Sequence, residues 1–306
     1  MTARVTVAGS LNMDLVARAP RIPQPGETII GSDFRNVPGG KGANQAVAAA
    51  RLEAEVSMVG RVGGDTFAEP LLENLAADGI DHTYVTRDPE AATGVALIVV
   101  DDAGENSIVV ASGANARFSP ADVEAAEEAL ASADVLLLQL ESPLETVQRA
   151  AEVARAHGAK VLLNPAPAQE LPEELLSLVD ALIPNETEAA LLADRSVRNE
   201  EEAREAAQAL LASGVETVIV TLGERGALLA QEGGVTLVPA FWVEPVDSTA
   251  AGDAFVGSFA VALAEGRALQ EAVRWGNAAG ALATTKIGAQ PSLPTRKAVE
   301  QLLSGD

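Results

Sequence analysis

A run of small residues between two carboxylates lies at positions 246–255 (VDSTAAGDAF), and an apolar helical stretch follows it. If a helix begins there, the backbone N–H groups of Ala250, Ala251 and Gly252 can point together at an anion, because no bulky side chain blocks close approach. Asp253 would then accept the proton of an attacking hydroxyl while the amides stabilise a transferred phosphoryl group. An ordinary helix start with an N-terminal acid is the structural alternative, since acids favour that position anyway.

A second glycine-rich segment, residues 38–46 (PGGKGANQA), also opens a predicted helix. It lacks the Gly-Lys-Ser/Thr ending of a P-loop, and no GxGxxG sequence follows a strand, so neither a P-loop nor a dinucleotide-binding motif is supported. Glycines at Gly40 and Gly42 let a ligand lie against the backbone. With the side chains of Lys41 and Asn44 beside them, the segment suits a small polyhydroxylated ligand.

Further polar residues follow two predicted strands. Asn12 and Asp14 come after the first strand, and Glu141 follows the strand at 135–139. Open α/β sheets bind ligands at the carboxyl ends of their strands, and carboxylates and amides can bridge adjacent hydroxyls with paired hydrogen bonds. Taken singly, each of these residues could equally serve a turn or a helix cap.

Short β-rich runs alternate with Ala/Leu/Glu-rich stretches of helical period, which predicts an α/β fold with a mainly parallel sheet. The strands are continuous apolar runs, as expected when helices cover both faces of the sheet. Predicted strands cover residues 4–9, 56–59, 135–139, 160–164, 181–184 and 218–221, and predicted helices cover 43–52, 67–78, 146–157, 200–213, 250–264, 269–285 and the segment from Lys297.

Two stretches interrupt this alternation. Residues 16–37 are rich in Pro and Gly, and residues 93–110 have the pattern of a hairpin that turns at 101–104. We expect them to form a small accessory sheet, a lid over a site on the main sheet, because long insertions in compact α/β domains are usually functional. A merely decorative excursion is the alternative. No linker divides the chain, so residues 1–306 are predicted to form a single domain.

Composition excludes several classes of protein. A formal net charge of −23 disfavours binding to nucleic acid or to an anionic membrane surface. The absence of cysteine excludes disulfides, thiolate nucleophiles and Cys-ligated metals, and His82 and His157 are too few for a histidine cluster. Since the N-terminus has no signal-peptide pattern, the expected location is the cytoplasm.

Taken in order along the chain, these segments resemble the ribokinase family, the PfkB-type carbohydrate kinases. The resemblance is specific because it covers the whole ordered set and extends from the first strand to the final helices. Besides GSLNMDL and GGKGANQA it includes NPAP at 164–167, PNETE at 184–188, VTLG at 220–223, DSTAAGDAFVGSF, and NAAGALATTKIGAQPSLP. It implies a three-layer sandwich with a mainly parallel central sheet flanked by helices, plus a small β-sheet lid.

The resemblance implies a kinase that transfers the γ-phosphoryl group of ATP to O5 of D-ribose. Asp253 would be the general base, next to an anion hole at Ala250–Gly252. The ribose hydroxyls would be held by Asn12, Asp14, Gly40, Lys41, Gly42, Asn44 and Glu141.

Cofactor positions follow from the same resemblance. Asn185 and Glu188 would organise Mg²⁺ and phosphate through water, since Mg²⁺ gives up its hydration reluctantly. The adenine nucleotide would be bordered by Thr221, Gly223, Gly226 and Asn277. A monovalent cation, usually K⁺ in this family, would be bound by Asp247, Thr249, Ala283, Lys286, Gly288 and Ser292, several of which would contribute only a carbonyl oxygen. The lid would pair with that of a second subunit to give a homodimer.

Three alternatives remain at this stage. A sibling kinase for another sugar or a nucleoside is the nearest, although the lid is poor in the aromatic residues that a purine would need. A non-catalytic sugar-binding or regulatory protein is possible, but the intact Gly252-Asp253 pair argues against it. A Rossmann dehydrogenase is the weakest because the dinucleotide motif is missing.

Overall fold

The computed structural model describes residues 2–305. Nine strands form the central sheet, in the order β13-β12-β11-β10-β9-β8-β1-β4-β5. Neighbouring strands from β5 to β11 are parallel, and β12 and β13 complete the sheet as an antiparallel hairpin. The strands are β1 (Arg4–Ala8), β4 (Glu55–Gly63), β5 (Asp81–Asp88), β8 (Val135–Leu138), β9 (Lys160–Leu163), β10 (Ala181–Leu182), β11 (Thr217–Thr221), β12 (Ala227–Gln231) and β13 (Gly234–Val238). The predicted mainly parallel sheet is confirmed.

Helices cover both faces of this sheet, because strands such as β8 bury every side chain. One face packs against α1 (Lys41–Arg51), α2 (Ala68–Ala77), α9 (Ala251–Ala264), α10 (Leu269–Ala283) and α11 (Arg296–Ser304). The other face packs against α3 (Pro120–Ala125), α4 (Glu127–Ser132), α5 (Leu144–Ala156), α6 (Glu173–Leu176), α7 (Glu186–Leu192) and α8 (Glu200–Ala212). In residues 2–305, no helix is both long and apolar enough to span a lipid bilayer.

Several elements were not predicted from the sequence. Strand β5 lies at an edge of the sheet with most of its side chains partly or fully exposed, so it lacks the apolar run of a buried strand. The helices α3 and α4 are only one to two turns long, which leaves little room for a helical period. The β12–β13 hairpin turns at Glu232 and Gly233, because Gln231 pairs with Gly234 across it. Gly233 and Gly234 both have positive φ, and this glycine pair in the sequence was the available signal.

A second, four-stranded sheet has the order β3-β2-β6-β7. Its strands are β2 (Asn12–Arg18), β3 (Asp33–Gly39), β6 (Gly94–Val100) and β7 (Asn106–Ala111). The two outer pairs are antiparallel and the central pair, β2 and β6, is parallel. The sheet overlaps both predicted lid segments, but it begins already at Asn12, so Asn12 and Asp14 belong to a strand of this sheet.

Helices α1 and α9 pack at very short distance on one face of the central sheet. A methyl group on Gly257 of α9 would lie 2.6 Å from Cβ of Ala48 and 2.8 Å from the carbonyl oxygen of Gln45, both on α1. Only glycine therefore permits this approach of the two helices. Because the two helices approach so closely, the first turn of α1 lies beside the first turn of α9 at the edge of the central sheet.

Substitution Gly257→Ala tests this contact. We expect it to lower the free energy of unfolding by about 2 kcal/mol, because the overpacking outweighs the better helix propensity of alanine. Urea unfolding measures the effect. The matched control is Ser258→Ala, next along the same helix. It removes a fully buried hydroxyl that has no hydrogen-bond partner in the described part of the chain, so little change is expected. Equal stability of the Gly257→Ala variant and the parent protein would contradict the interpretation.

Candidate functional site

The beginnings of α1 and α9 lie at the carboxyl edge of the parallel sheet. Before α1, Gly40 has φ of 91°, and a methyl group there would lie 2.7 Å from the amide nitrogen of Asn12. One residue into the helix, a methyl group on Gly42 would lie 2.6 Å from the amide nitrogen of Ser10. The glycines thus let the start of α1 rest directly on the segment that follows β1, which brings the two polar segments together.

Helix α9 begins after Ala250, which has φ of 58°, a left-handed conformation that is strained for alanine. This reversal makes a turn in which the Ala251 N–H donates to the Ser248 carbonyl at 3.2 Å. Within the described residues, the N–H groups of Ala250 and Gly252 have no carbonyl partner. Two of the three predicted anion-binding amides are therefore free, and the third is held in the turn.

Asp253 is buried, with 7% of its surface exposed, in the first turn of α9. Its two oxygens each accept one amide hydrogen bond from α1: Oδ2 from Asn44 Nδ2 at 2.9 Å and Oδ1 from Gln45 Nε2 at 3.1 Å. Burial raises the pKa of the Asp253 carboxyl, although nearby Lys41 and the two amides act in the opposite direction. Asn44 Oδ1 is buried and has no hydrogen-bond partner among residues 2–305, so it is available to a ligand hydroxyl.

Glu141 joins the segments around Asp253. Its Oε2 atom accepts from Ser10 Oγ at 2.6 Å, from Asn12 Nδ2 at 3.3 Å and from the Lys41 backbone N–H at 3.2 Å. The Asn12 Oδ1 atom in turn accepts from Asn115 Nδ2 at 2.7 Å. The predicted Asn12, Lys41 and Glu141 thus form one hydrogen-bonded group.

Asp14 lies on β2 and packs against the backbone of Gly39, where any side chain would collide with its carboxyl group. Burial raises the pKa of Asp14 to about 7, with further contributions from the charges of Glu141 and Asp253. For Lys41, burial lowers the pKa, but the carboxylates of Asp253, Glu141 and Glu188 outweigh it, so its pKa lies above the ordinary value. The described site therefore holds four carboxyl groups around one ammonium and favours hydroxyl donors and cations.

The predicted nucleotide and magnesium positions lie at the ends of β10, β11 and β13. Asn185 and Glu188 form a reciprocal cap of α7: the Glu188 N–H donates to Asn185 Oδ1 at 2.9 Å and the Asn185 N–H donates to Glu188 Oε2 at 2.8 Å. Burial raises the pKa of Glu188, against the effects of the Asn185 N–H and Lys41. The backbone of Asn185 bridges to Thr221, at the end of β11. These contacts bring Glu188 within the electrostatic reach of Lys41 and Asp253.

Gly226 and Asn277 meet at the end of β13. Asn277 Nδ2 donates to the carbonyl oxygens of Val238 at 2.9 Å and Pro239 at 3.2 Å, and a side chain on Gly226 would collide with the same Val238 carbonyl. The 3₁₀ turn Gly223–Arg225 follows Thr221 and completes this border. The side chain of Asn277 is thus used to fix the backbone that leads away from β13.

The predicted cation-binding residues come from two loops that Asp247 joins. Its Oδ2 accepts from the Gly288 N–H at 2.8 Å, and its Oδ1 accepts from the N–H and hydroxyl of Thr249 at 2.9 and 2.6 Å. Burial acts to raise the pKa of Asp247, but these donors outweigh it and hold the pKa below the ordinary value. The Lys286 side chain is exposed, so it need not enter a site formed by its carbonyl.

These loops fit a weakly charged ion. Among the described residues, no three His, Cys, Asp or Glu side chains cluster to hold a metal, so a cation here would meet one carboxylate and neutral oxygens. The Val246 and Asp247 amides both donate to the Thr284 carbonyl, which ties the loop before α9 to the end of α10. The Ser292 hydroxyl donates to the Ala289 carbonyl at 2.7 Å and keeps an oxygen lone pair available.

Five further polar residues at the site were not predicted. Ser10 lies in the segment GSLNMDL and Gln45 in GGKGANQA. Both segments contain predicted site residues, so the neighbouring residues could have indicated these two. Asn115 is in a 3₁₀ turn that follows the second sheet, and it had no signal in the sequence. The remaining two are Gln139, in the strand segment 135–139, and Asn164, which begins the NPAP segment.

Comparison with known proteins gives one consistent result. Residues 2–296 match the family described as pfkB family carbohydrate kinase. The chain is 45% identical over 303 residues to the ribokinase of Haemophilus influenzae, over 99% of both chains. It is 40% identical over 301 residues to the deoxyribokinase of Salmonella typhimurium, over 98% of both chains. Its fold matches Arabidopsis thaliana ribokinase complexed with ribose and ATP with a TM-score of 0.91 at 34% identity, over 99% of both chains.

The charge of Asp14 yields a prediction on stability. Its pKa is about 7 in the folded protein, above the ordinary 3.8. Between these two pH values the folded protein binds more protons than the unfolded chain. Its free energy of unfolding therefore falls as the pH rises from 3.8 to about 7. Substitution Asp14→Asn removes this penalty. In urea unfolding we expect a stability gain that is about 2 kcal/mol larger at pH 8 than at pH 5.

The control for this prediction is Asp65→Asn. Burial acts to raise the pKa of Asp65, but hydrogen bonds from Thr93 and the Phe67 N–H outweigh it and lower the pKa, so this variant should lose stability at pH 8. A gain from Asp14→Asn that is equal at both pH values would refute the burial and repulsion argued for Asp14.

Proposed function

Because the chain belongs to the pfkB family of carbohydrate kinases, we propose that it transfers the γ-phosphoryl group of ATP to O5 of D-ribose, giving D-ribose 5-phosphate and ADP. The observation that carries this proposal is the position of Asp253. A buried carboxylate lies in the first turn of α9, beside free backbone amides and opposite a cluster of hydroxyl-binding side chains. This is the arrangement that phosphoryl transfer to an alcohol requires.

The sugar would lie between the second sheet and the start of α1. Asn12, Asp14, Glu141, the free Asn44 Oδ1 and the Lys41 ammonium supply acceptors and donors from three elements, and Gly40 and Gly42 let the ligand approach the backbone. A polyhydroxylated ligand would match these groups with paired hydrogen bonds, whereas an analogue lacking a hydroxyl would leave one of them buried and unpaired. This cost is the basis of the proposed selectivity.

In the reaction, Asp253 would orient the 5-hydroxyl and take its proton late. The amides of Asn44 and Gln45 fix the carboxylate, so little reorganisation is needed as the proton moves. Its raised pKa makes it a stronger base than an exposed aspartate. The proton moves from the sugar hydroxyl to the carboxylate while the hydroxyl oxygen forms a bond to the γ-phosphorus. The bond from that phosphorus to the bridging oxygen of ATP breaks, and ADP leaves with its electrons.

Charge on the transferred group would be stabilised by the free N–H groups of Ala250 and Gly252 at the N-terminus of α9 and by Lys41. Asn185 and Glu188 would hold Mg²⁺ through water, and the ion would neutralise the phosphate oxygens. Burial raises the pKa of Glu188, with the charge of Asp253 as a lesser contribution, and a bound cation would offset both effects. The nucleotide would lie along 221–226 with the base bordered by Gly226 and by the backbone that Asn277 holds.

A monovalent cation, K⁺ in the first instance, would bind where Asp247 joins its two loops, with oxygens from Thr249, Ala283, Lys286, Gly288 and Ser292. The ion would stabilise the loop that precedes Ala250. Since Ala250 is held in a strained conformation, ordering this loop supports the geometry of the anion-binding amides.

The second sheet would act as a lid and as a dimer contact. It carries exposed apolar side chains, among them Phe34, which is 60% exposed, and Val109, which is 61% exposed. A second copy of the sheet would cover them, because apolar patches of this kind usually mark contacts. Lid closure would exclude water from the site and limit ATP hydrolysis. The proposed location is the cytoplasm, where ATP and Mg²⁺ are supplied.

A closely related acceptor, 2-deoxyribose, is the second candidate, because the chain is 40% identical to a deoxyribokinase. The test is ADP release with MgATP and KCl across D-ribose, 2-deoxyribose, fructose, 2-keto-3-deoxygluconate and adenosine, with NaCl as the control salt. We expect release that depends on D-ribose and is stimulated by K⁺. Strong release with another acceptor would overturn the proposed specificity but retain Asp253, and no release with any acceptor would favour a binding protein.

Substitution Asp253→Asn tests the base. We expect turnover to fall by about 10²–10⁴-fold, because proton acceptance by a positioned group is lost. Binding of sugar and nucleotide, measured by calorimetry, should remain within a few fold, since Asn44, Lys41 and Glu141 are intact. Turnover equal to that of the parent protein would refute the role assigned to Asp253.

A further inference from the structure

Two fully buried glutamines lie behind Asp253 and have no part in the proposed binding of sugar or nucleotide. Gln45 and Gln139 are 0% and 1% exposed. Gln45 Nε2 donates both to Asp253 Oδ1 and to Asn164 Oδ1, at 3.1 Å each, and Gln45 Oε1 accepts from Gln139 Nε2 at 2.5 Å. Three amides and the carboxylate thus form a continuous chain of hydrogen bonds.

The direction of this chain is fixed at its far end. Asn164 Nδ2 donates to the Ile183 carbonyl oxygen at 2.9 Å, and a carbonyl oxygen can only accept. The Asn164 side-chain oxygen must therefore face Gln45, so Gln45 must present its NH₂ group there. The two hydrogens of that group then serve Asn164 and Asp253, and the Gln45 oxygen faces the NH₂ group of Gln139. A reversed Gln45 amide would place its oxygen against two acceptors.

The backbone at Gly9 makes room for Gln139. Any side chain at Gly9 would collide with the Oε1 atom of Gln139, so the glycine after β1 is what allows Gln139 to lie under the site. The position of Gln45 is also fixed by the α1–α9 contact, because the Gln45 carbonyl is one of the atoms closest to Gly257. The two glutamines of the amide chain are thus each held by a close glycine contact.

We propose that Gln45 is a positioning residue for the reaction: through its oriented amide it holds Oδ1 of Asp253 and keeps that carboxylate ionised and correctly placed to take the proton of the sugar. Gln139 acts one bond further away by donating to the Gln45 side-chain oxygen and so supporting the Gln45 amide. The inference rests on the proposed role of Asp253 as base.

The charges around Asp253 make this support necessary. The ammonium of Lys41 on α1 is the cation that acts on Asp253. Three further carboxyl groups lie in the same site: Asp14 of β2, Glu141 after β8 and Glu188 of α7. Burial and these carboxylates favour protonation of Asp253, which would abolish its action as a base. A donor directed at Oδ1 counteracts protonation, because a hydrogen bond to the ionised form lowers the pKa of the carboxyl group.

The test is the pH profile of kcat at saturating D-ribose and MgATP, a condition that reports the bound complex and so separates Asp253 from effects on sugar binding. The variant Gln45→Leu keeps the volume of the side chain but cannot donate. We expect its acid limb to move to higher pH by about 1 unit. Turnover should fall by up to about 10-fold on the acid limb and by much less on the plateau at higher pH, with KM for D-ribose within about threefold of the parent value.

A second variant, Gln139→Leu, and a control, Thr146→Val, distinguish an effect on Asp253 from a general loss of stability. Gln139→Leu removes the donor to the Gln45 side-chain oxygen, so that the Gln45 amide is held less firmly, and should shift the limb in the same direction by a smaller amount. If Gln45→Leu does not fold, this variant carries the test alone. Thr146→Val removes another fully buried hydrogen bond, to the Phe118 carbonyl, far from Asp253, and should lower stability without moving the limb.

The results separate this inference from the proposed function. If Asp253→Asn retains parental turnover, the assignment of the base fails first. If Asp253→Asn is inactive but both glutamine variants keep the acid limb of the parent protein, or lose turnover equally at every pH, Gln45 has only a structural role and the inference is overturned. A shifted limb in Gln45→Leu and Gln139→Leu, with none in Thr146→Val, supports it.

Discussion

The close packing of α1 against α9 is the contact on which the site depends. Gly257 lets the two helices approach until the Ala48 methyl and the Gln45 carbonyl lie against its Cα, and this distance sets the spacing of their first turns. Asn44 and Gln45 can then reach both oxygens of Asp253. A larger residue at position 257 would separate the helices, and the carboxylate would lose the donors that offset its burial.

The electrostatics of the site follow from this crowding. Asp14, Glu141, Asp253 and Glu188 lie around the ammonium of Lys41, and burial raises the pKa values of Asp14, Asp253 and Glu188. Such an arrangement lowers the stability of the free protein, because charged groups are kept from water near like charges. The proposed binding of a sugar and of cations would relieve this cost, because hydroxyl donors and cations satisfy carboxylates. The proposed transfer of a phosphoryl group would rely on positive potential from backbone amides and one lysine.

The second sheet is attached to the site through its own binding residues. Asn12 and Asp14 are in β2, so the strand that begins the sheet also carries two of the sugar-binding candidates. Asn12 is fixed by Asn115, which follows β7, and by Glu141, which follows β8. A movement of this sheet would therefore change the sugar site directly, and a ligand bound to Asn12 and Asp14 would hold the sheet in place.

The sequence alone determined the fold class, the parallel core strands and the main helices, because burial on both faces requires continuous apolar runs and helices have a clear period. It also singled out 38–46 and 246–255 as candidate site segments, and the structure brings Asn44 of the first against Asp253 of the second. Edge strand β5 and the short helices α3 and α4 were not predicted, because exposure or shortness weakens their sequence patterns.

The orientation of side chains across the site was decided only by tertiary structure. Asn115, Gln139 and Asn164 come from three separate parts of the chain, and nothing local specifies that their amides meet those of Asn12 and Gln45. Similarly, the turn that engages the Ala251 amide arises from the left-handed conformation of Ala250, which loop packing imposes on a residue that does not prefer it.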